Sequence, residues 1–95
     1  MTNYWLEKIR DERIRQEDKW GESNHHPLVW FSIIGEEYGE MCKAFNEYFS
    51  SIYDNDEPTK HNRLDDMKTE AIQVAACCVA MLECIDRKTE EGLAP

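Results

Sequence analysis

The sequence predicts an all-α fold of three main helices forming a helical bundle. Three observations carry that expectation. Apolar residues recur at helical spacing in three separate segments, and no segment alternates apolar with polar residues as a strand would. The breaks between periodic segments fall where Gly, Pro and short polar residues cluster.

The first helix is expected over about residues 2–19. Trp5, Leu6, Ile9 and Ile14 give it a sparse apolar stripe, and mixed charges such as Glu7, Arg10, Asp11 and Glu17 cover the rest. Thr2 or Asn3 is placed to cap its start. The stretch Trp20-Gly21-Glu22-Ser23-Asn24-His25-His26-Pro27 breaks it and is dense in side chains that stack or hydrogen-bond. A second helix, over about 28–52, has the strongest period. Trp30, Ile33, Ile34, Met41, Ala44, Phe45, Tyr48 and Phe49 mark its buried side. Tyr53 to Arg63 reads as a polar linker. The third helix, over about 64–87, is expected to bury Met67, Ala71, Val74, Ala75, Cys78, Met81, Leu82 and Ile85. Its run of small residues from Ala75 to Ala80 permits close approach of another helix. Gly92 and Pro95 mark a short tail.

A chain of 95 residues makes a single domain, 1–95, with a thin core that a second copy would help to cover. Hydrophobic residues are 41% of it, enough for a folded protein and too many for a disordered one. No apolar run approaches the ~20 residues that cross a bilayer, and the N-terminus lacks the apolar core of a signal peptide. The expectation is a soluble, cytoplasmic protein with no membrane partner. A net charge of -9 argues against a nucleic-acid surface, which needs a basic footprint. Of the four cysteines, Cys77 and Cys78 are adjacent on a helix and point roughly 100° apart, so they do not bridge comfortably. Cys42 and Cys84 sit among apolar residues, and no spacing suits zinc. All four read as reduced, buried thiols.

The chemistry concentrates in Glu36-Glu37-Tyr38-Gly39-Glu40, set inside the apolar stripe of the second helix. Glu37 shares that stripe by its spacing of three and four from Ile34 and Met41. An unpaired buried carboxylate is costly, so such an acid needs a partner. Glu37 and Glu40 share a helix face, and Glu70 and Gln73 repeat the spacing on the third helix. Packed antiparallel, the two long helices would present three carboxylates and an amide oxygen to a shared point. Hard cations such as Mg²⁺ or Mn²⁺ want that all-oxygen environment. Glu36 lies beside the cluster, placed to bind a second ion or to deprotonate water. Neither pair offers the Glu-x-x-His of di-iron bundles. Read alone, the acids also suit a solvated helix face; the second pair turns the reading toward metal.

Around this centre, Trp20 and Trp30 suit either a helix junction or base stacking. Asn24 and His25 are placed to hydrogen-bond a base or sugar, or to cap the second helix. Lys43, Arg13, Lys19 and Lys68 are the candidate cations for a phosphate.

Glu36-Glu37-x-x-Glu40, followed about thirty residues later by Glu70-x-x-Gln73, resembles the EExxE and ExxD signature of the MazG-like all-α nucleoside-triphosphate pyrophosphohydrolases. Glu12-Arg13-x-Arg15-Gln16-x-x-Lys19-Trp20-Gly21, Asn24-His25, Trp30 and Gln73-Val74-Ala75-Ala76 extend the likeness to short phage and bacterial members, over residues 8 to 86. The resemblance implies a Mg²⁺-dependent hydrolase, with Mn²⁺ as a substitute, that splits a nucleoside triphosphate into monophosphate and pyrophosphate. It implies Glu37, Glu40 and Glu70 as metal ligands and Glu36 as a further ligand or water-orienting base. It implies a homodimer or homotetramer, which would complete the metal site. The family usually has Asp where this chain has Gln73, whose neutral amide can ligate through oxygen but cannot act as a base. Two other readings stay open: a nucleotide-binding module weakened at Gln73, and an acidic helical protein-interaction module.

Overall fold

A computed structural model describes residues 1–53 and 57–92, with side chains at 1–52 and 62–92. Among the described residues there are three helices and no strand: α1 (Thr2–Trp20), α2 (Pro27–Tyr53) and α3 (Glu57–Glu90). No helix among them is long and apolar enough to cross a membrane.

α3 is the central element. α1 and α2 each pack on it, and among the described residues they do not pack on each other. α2 runs antiparallel to α3: Arg63 reaches Glu47 at one end, and Cys84 reaches the His25 carbonyl at the other. α1 runs parallel to α3, with Ile9 beside Lys68 and Ile72, and Gln16 beside Cys77. The chain therefore runs up, down and up. The 21–26 loop comes to lie at the C-terminal end of α3.

Serving two neighbours sets the deep stripe of α3. Ala76, Cys77, Ala80 and Cys84 are its buried residues, and small side chains there let both helices sit close. Trp30 of α2 packs with Ala80 and Cys84, backed by Ile33 and Met81. The expected stripe is thus displaced: Met67, Val74, Ala75, Cys78, Met81 and Ile85 are half-buried, while Ala71 and Leu82 are exposed. Phe45 and Phe49 on α2 are also exposed rather than buried, and stack on each other with ring centres 4.6 Å apart. The cysteines are free, with Cys77 and Cys84 buried and Cys42 and Cys78 half-buried.

α1 departs most from its expected stripe. It has no buried residue, and Leu6 and Ile14 face solvent. Its seat on α3 is the half-buried face of Ile9, Glu12, Arg13 and Gln16, so polar contacts hold it. No side chain caps its start; neither Thr2 nor Asn3 does so. Gly21 ends it at φ 72°, a conformation open to glycine, and donates its N–H to the Glu17 carbonyl at 2.7 Å.

His26, rather than Asn24 or His25, caps α2: its Nδ1 accepts from Leu28 N at 3.2 Å, ahead of Pro27 in the first turn. α3 begins at Glu57, seven residues before the expected start, so most of the expected 53–63 linker is helix. Pro58 sits in the first turn, where its missing N–H has no intrahelical partner to lose. Residues 54–56, the side chain of Tyr53 and the tail to Pro95 lie outside the described residues. Gly92 follows α3 at φ 78°, as its place in the sequence suggests.

Candidate functional site

The 21–26 loop and the upper parts of all three helices surround a cavity of about 610 Å³. It gathers sequence candidates from several sides: Trp20, Asn24 and His25 from the loop side, Trp30 and Glu37 from α2, and Gln73 from α3. Arg13, Arg15 and Gln16 of α1 line it too. Trp20 is 63% exposed, with the Lys19 ammonium 4.5 Å from its ring centre. The His25 ring meets Trp30 edge-on, with centroids 4.9 Å apart. Trp30 thus serves as a junction anchor, while Trp20 leaves a face free at the rim.

The two arginines of the cavity wall are wired to acids. Arg13 donates from Nε to Glu83 Oε1 at 2.9 Å and from Nη2 to Glu17 Oε1 at 3.0 Å. Arg15 grips Glu12 through both Nε and Nη2, at 2.9 and 2.6 Å. Hydrogen bonding to Glu83 and to Glu12, respectively, strengthens the hold of each guanidinium on its proton. Gln16 bonds Glu12 at 3.4 Å and reaches the Cys77 sulfur at 3.9 Å.

A second cavity, of about 350 Å³, lies further down the α2–α3 groove. It is lined by Glu40, Lys43 and Glu47 of α2 and by Arg63, Asp66 and Glu70 of α3. Arg63 is held by Glu47 at 2.8 Å, and Lys43 makes no ion pair among the described residues. The expected cluster is therefore divided, with Glu37 and Gln73 on one cavity and Glu40 and Glu70 on the other.

Glu37 bears on residues of both cavities through its charge. It lines the upper cavity, yet its charge acts on Cys77 above and on Glu70 below. Burial, then the charges of Glu37, Glu40 and Asp66, push the Glu70 carboxyl above its ordinary value. Burial chiefly, and Glu37 next, push up the Cys77 thiol. The Oε2 of Glu70 is buried and has no hydrogen-bond partner among the described residues. An orphaned carboxylate oxygen facing other carboxylates is a donor set that suits a hard cation. The chemistry fits, but the ligands are not preassembled: among the described residues no three His, Cys, Asp or Glu side chains stand in metal-holding geometry.

Glu36 is exposed on α2 and lines neither cavity. Lys68 lies on the α1 side, beside Trp5 and Ile9. Asp66 is the acid that sequence reasoning missed; its spacing of four from Glu70 on one helix face was the available signal. Arg15 and Gln16 carry no assigned role in the sequence, which does not tell which face of α1 meets the loop. No family model matches the chain, and no curated protein and no solved structure matches it.

Proposed function

We propose that this chain is a divalent-metal-dependent nucleoside-triphosphate pyrophosphohydrolase, cleaving a (d)NTP to the (d)NMP and pyrophosphate. One observation carries the reading: a single cavity joins Glu37 to Trp20, Asn24 and His25, which are groups for a base and sugar. Its size suits a small ligand.

Charge supports the metal. The upper cavity sets three carboxylates (Glu12, Glu22, Glu37) against two guanidiniums (Arg13, Arg15) that are already paired. The lower sets four (Glu40, Glu47, Asp66, Glu70) against Lys43 and Arg63. A triphosphate entering either would meet net negative charge, so it needs cations to accompany it. Glu37, Glu40 and Glu70, with the Gln73 amide oxygen, are the residues that would hold Mg²⁺ or Mn²⁺. Such an ion supplies charge neutralisation and a lowered pKa for water.

In the reaction a water oxygen bonds to the α-phosphorus and the α–β bridging bond breaks, releasing pyrophosphate. Glu37, in the wall of the upper cavity, holds the proton that the water gives up. Trp20 stacks on the base, Asn24 and His25 orient the nucleoside, and Lys43 meets the phosphate end. We further propose a homo-oligomer, because α2 leaves Phe31, Phe45, Phe49 and Ile52 exposed.

The test is pyrophosphate release from a panel of NTPs and dNTPs with Mg²⁺, with Mn²⁺ and with EDTA. Release that EDTA abolishes is the expected result; silence across the panel from folded protein contradicts it. Gln73, in place of a carboxylate, favours a second reading, a nucleotide-binding module without turnover. That reading expects nucleotide to raise the thermal midpoint with no pyrophosphate formed.

A further inference from the structure

The end of α3 carries two cations whose partners are not on α3. Lys and Arg in a last helical turn ordinarily serve the helix's own carbonyls. Here the Arg87 Nη2 donates to the Ser23 carbonyl at 2.9 Å, and its Nε donates to Asn24 Oδ1 at 3.1 Å. The same Nε lies 3.2 Å from Glu22 Oε1, while Asn24 Nδ2 donates to Glu22 Oε2 at 3.0 Å. Arg87, Glu22 and Asn24 thus close a ring. Arginine only donates and a carboxylate only accepts, so this ring fixes which way the Asn24 amide points. Lys88 Nζ donates to the His25 carbonyl at 3.1 Å, and the Cys84 thiol approaches the same oxygen at 3.7 Å.

Apart from these bonds, the loop is tied by the His25 ring against Trp30 and by the His26 cap of α2. Glu22 and Asn24 are exposed, Ser23 and His25 are half-buried, and Gly21 precedes them in a left-handed conformation. Charge-assisted hydrogen bonds from α3 set the position of the stretch Glu22 to Asn24. We propose that Arg87, assisted by Lys88, is a positioning residue for ligand binding: it holds Asn24 and His25 at the wall of the upper cavity before the nucleotide arrives. This rests on the nucleotide reading above. A loop ordered in advance costs the ligand less to bind, so the residue acts on affinity and not on the chemical step.

The experiment is steady-state pyrophosphate release by the full chain and by Arg87→Ala, Arg87→Lys, Lys88→Ala, Asn24→Ala and the Asn24→Ala/Arg87→Ala double variant. Arg87→Ala is expected to raise KM about tenfold, the size of one lost charge-assisted hydrogen bond, with kcat within about twofold. Lys88→Ala shifts KM the same way by less, and Arg87→Lys recovers part of the loss. In the Asn24→Ala background Arg87→Ala adds little, because it acts through that amide. An active wild type whose KM is untouched by Arg87→Ala, or a loss that falls on kcat instead, overturns the positioning role. Full additivity in the double variant overturns it as well. A wild type that neither binds nor turns over nucleotide fails at the earlier step and overturns both readings together.

Discussion

Glu70 is where side-chain chemistry and stability meet. Its carboxyl is raised chiefly by burial and then by Glu37, Glu40 and Asp66. The folded chain therefore holds that proton to higher pH than the unfolded chain does. The group favours folding below the unfolded value and loses that contribution as pH climbs through the raised one. Glu70→Gln cannot ionise and escapes the penalty. Thermal melts in EDTA are expected to place the variant above wild type at pH 7, with the gap closing as pH falls toward the ordinary 4.5. A variant no more stable than wild type at pH 7 contradicts this account of the site. Sequence spacing alone brought Glu37, Glu40, Glu70 and Gln73 onto facing sides of two helices. It could not say that they divide between two cavities, because that depends on the offset of α2 along α3. Asp66 was passed over for the same reason, since an acid on a helix reads as solvated until its neighbours are known.

At the scale of elements, α2 was the most legible, because its apolar residues keep one period over the whole length. Trp30 and Ala44 are buried as that period indicates. Phe45 and Phe49 lie at the edge of the same stripe, and one neighbouring helix is too narrow to cover them. Periodicity reports that a face is apolar, not how much partner it has. α3 misled for a related reason: a helix packed on two sides buries the bisector of its apolar arc, here Ala76, Ala80 and Cys84. α1 is held by Arg13 to Glu83 and Gln16 to Cys77, contacts between distant residues that leave no local pattern. If a second copy covers the outer face of α2, Phe45→Glu and Phe49→Glu are expected to lower the mass measured by light scattering to that of one chain. Wild type already at monomer mass would contradict the proposed association.

The whole molecule is elongated for its size. Its extents are 55 × 27 × 23 Å and its radius of gyration is 16.0 Å, against about 13 Å for a compact domain of roughly this length. Two helices with one shared partner, α3, leave both cavities open along the bundle, and the chain's charge of -9 disfavours an anion that enters either without cations. The all-α class and the order of the helices followed from composition and period. The meeting of the Trp20–Pro27 loop with the acidic helix did not, because it requires the third helix to return that loop through Arg87 and Lys88. Glu37 stands at that meeting, so it is the residue on which the account depends. The most direct measurement is Mg²⁺-dependent pyrophosphate release by Glu37→Gln beside wild type at equal fold content. Wild type is expected to release pyrophosphate robustly and the variant to lose about 100-fold or more, the scale of a removed proton acceptor. Equal release by the two proteins would contradict this role of Glu37.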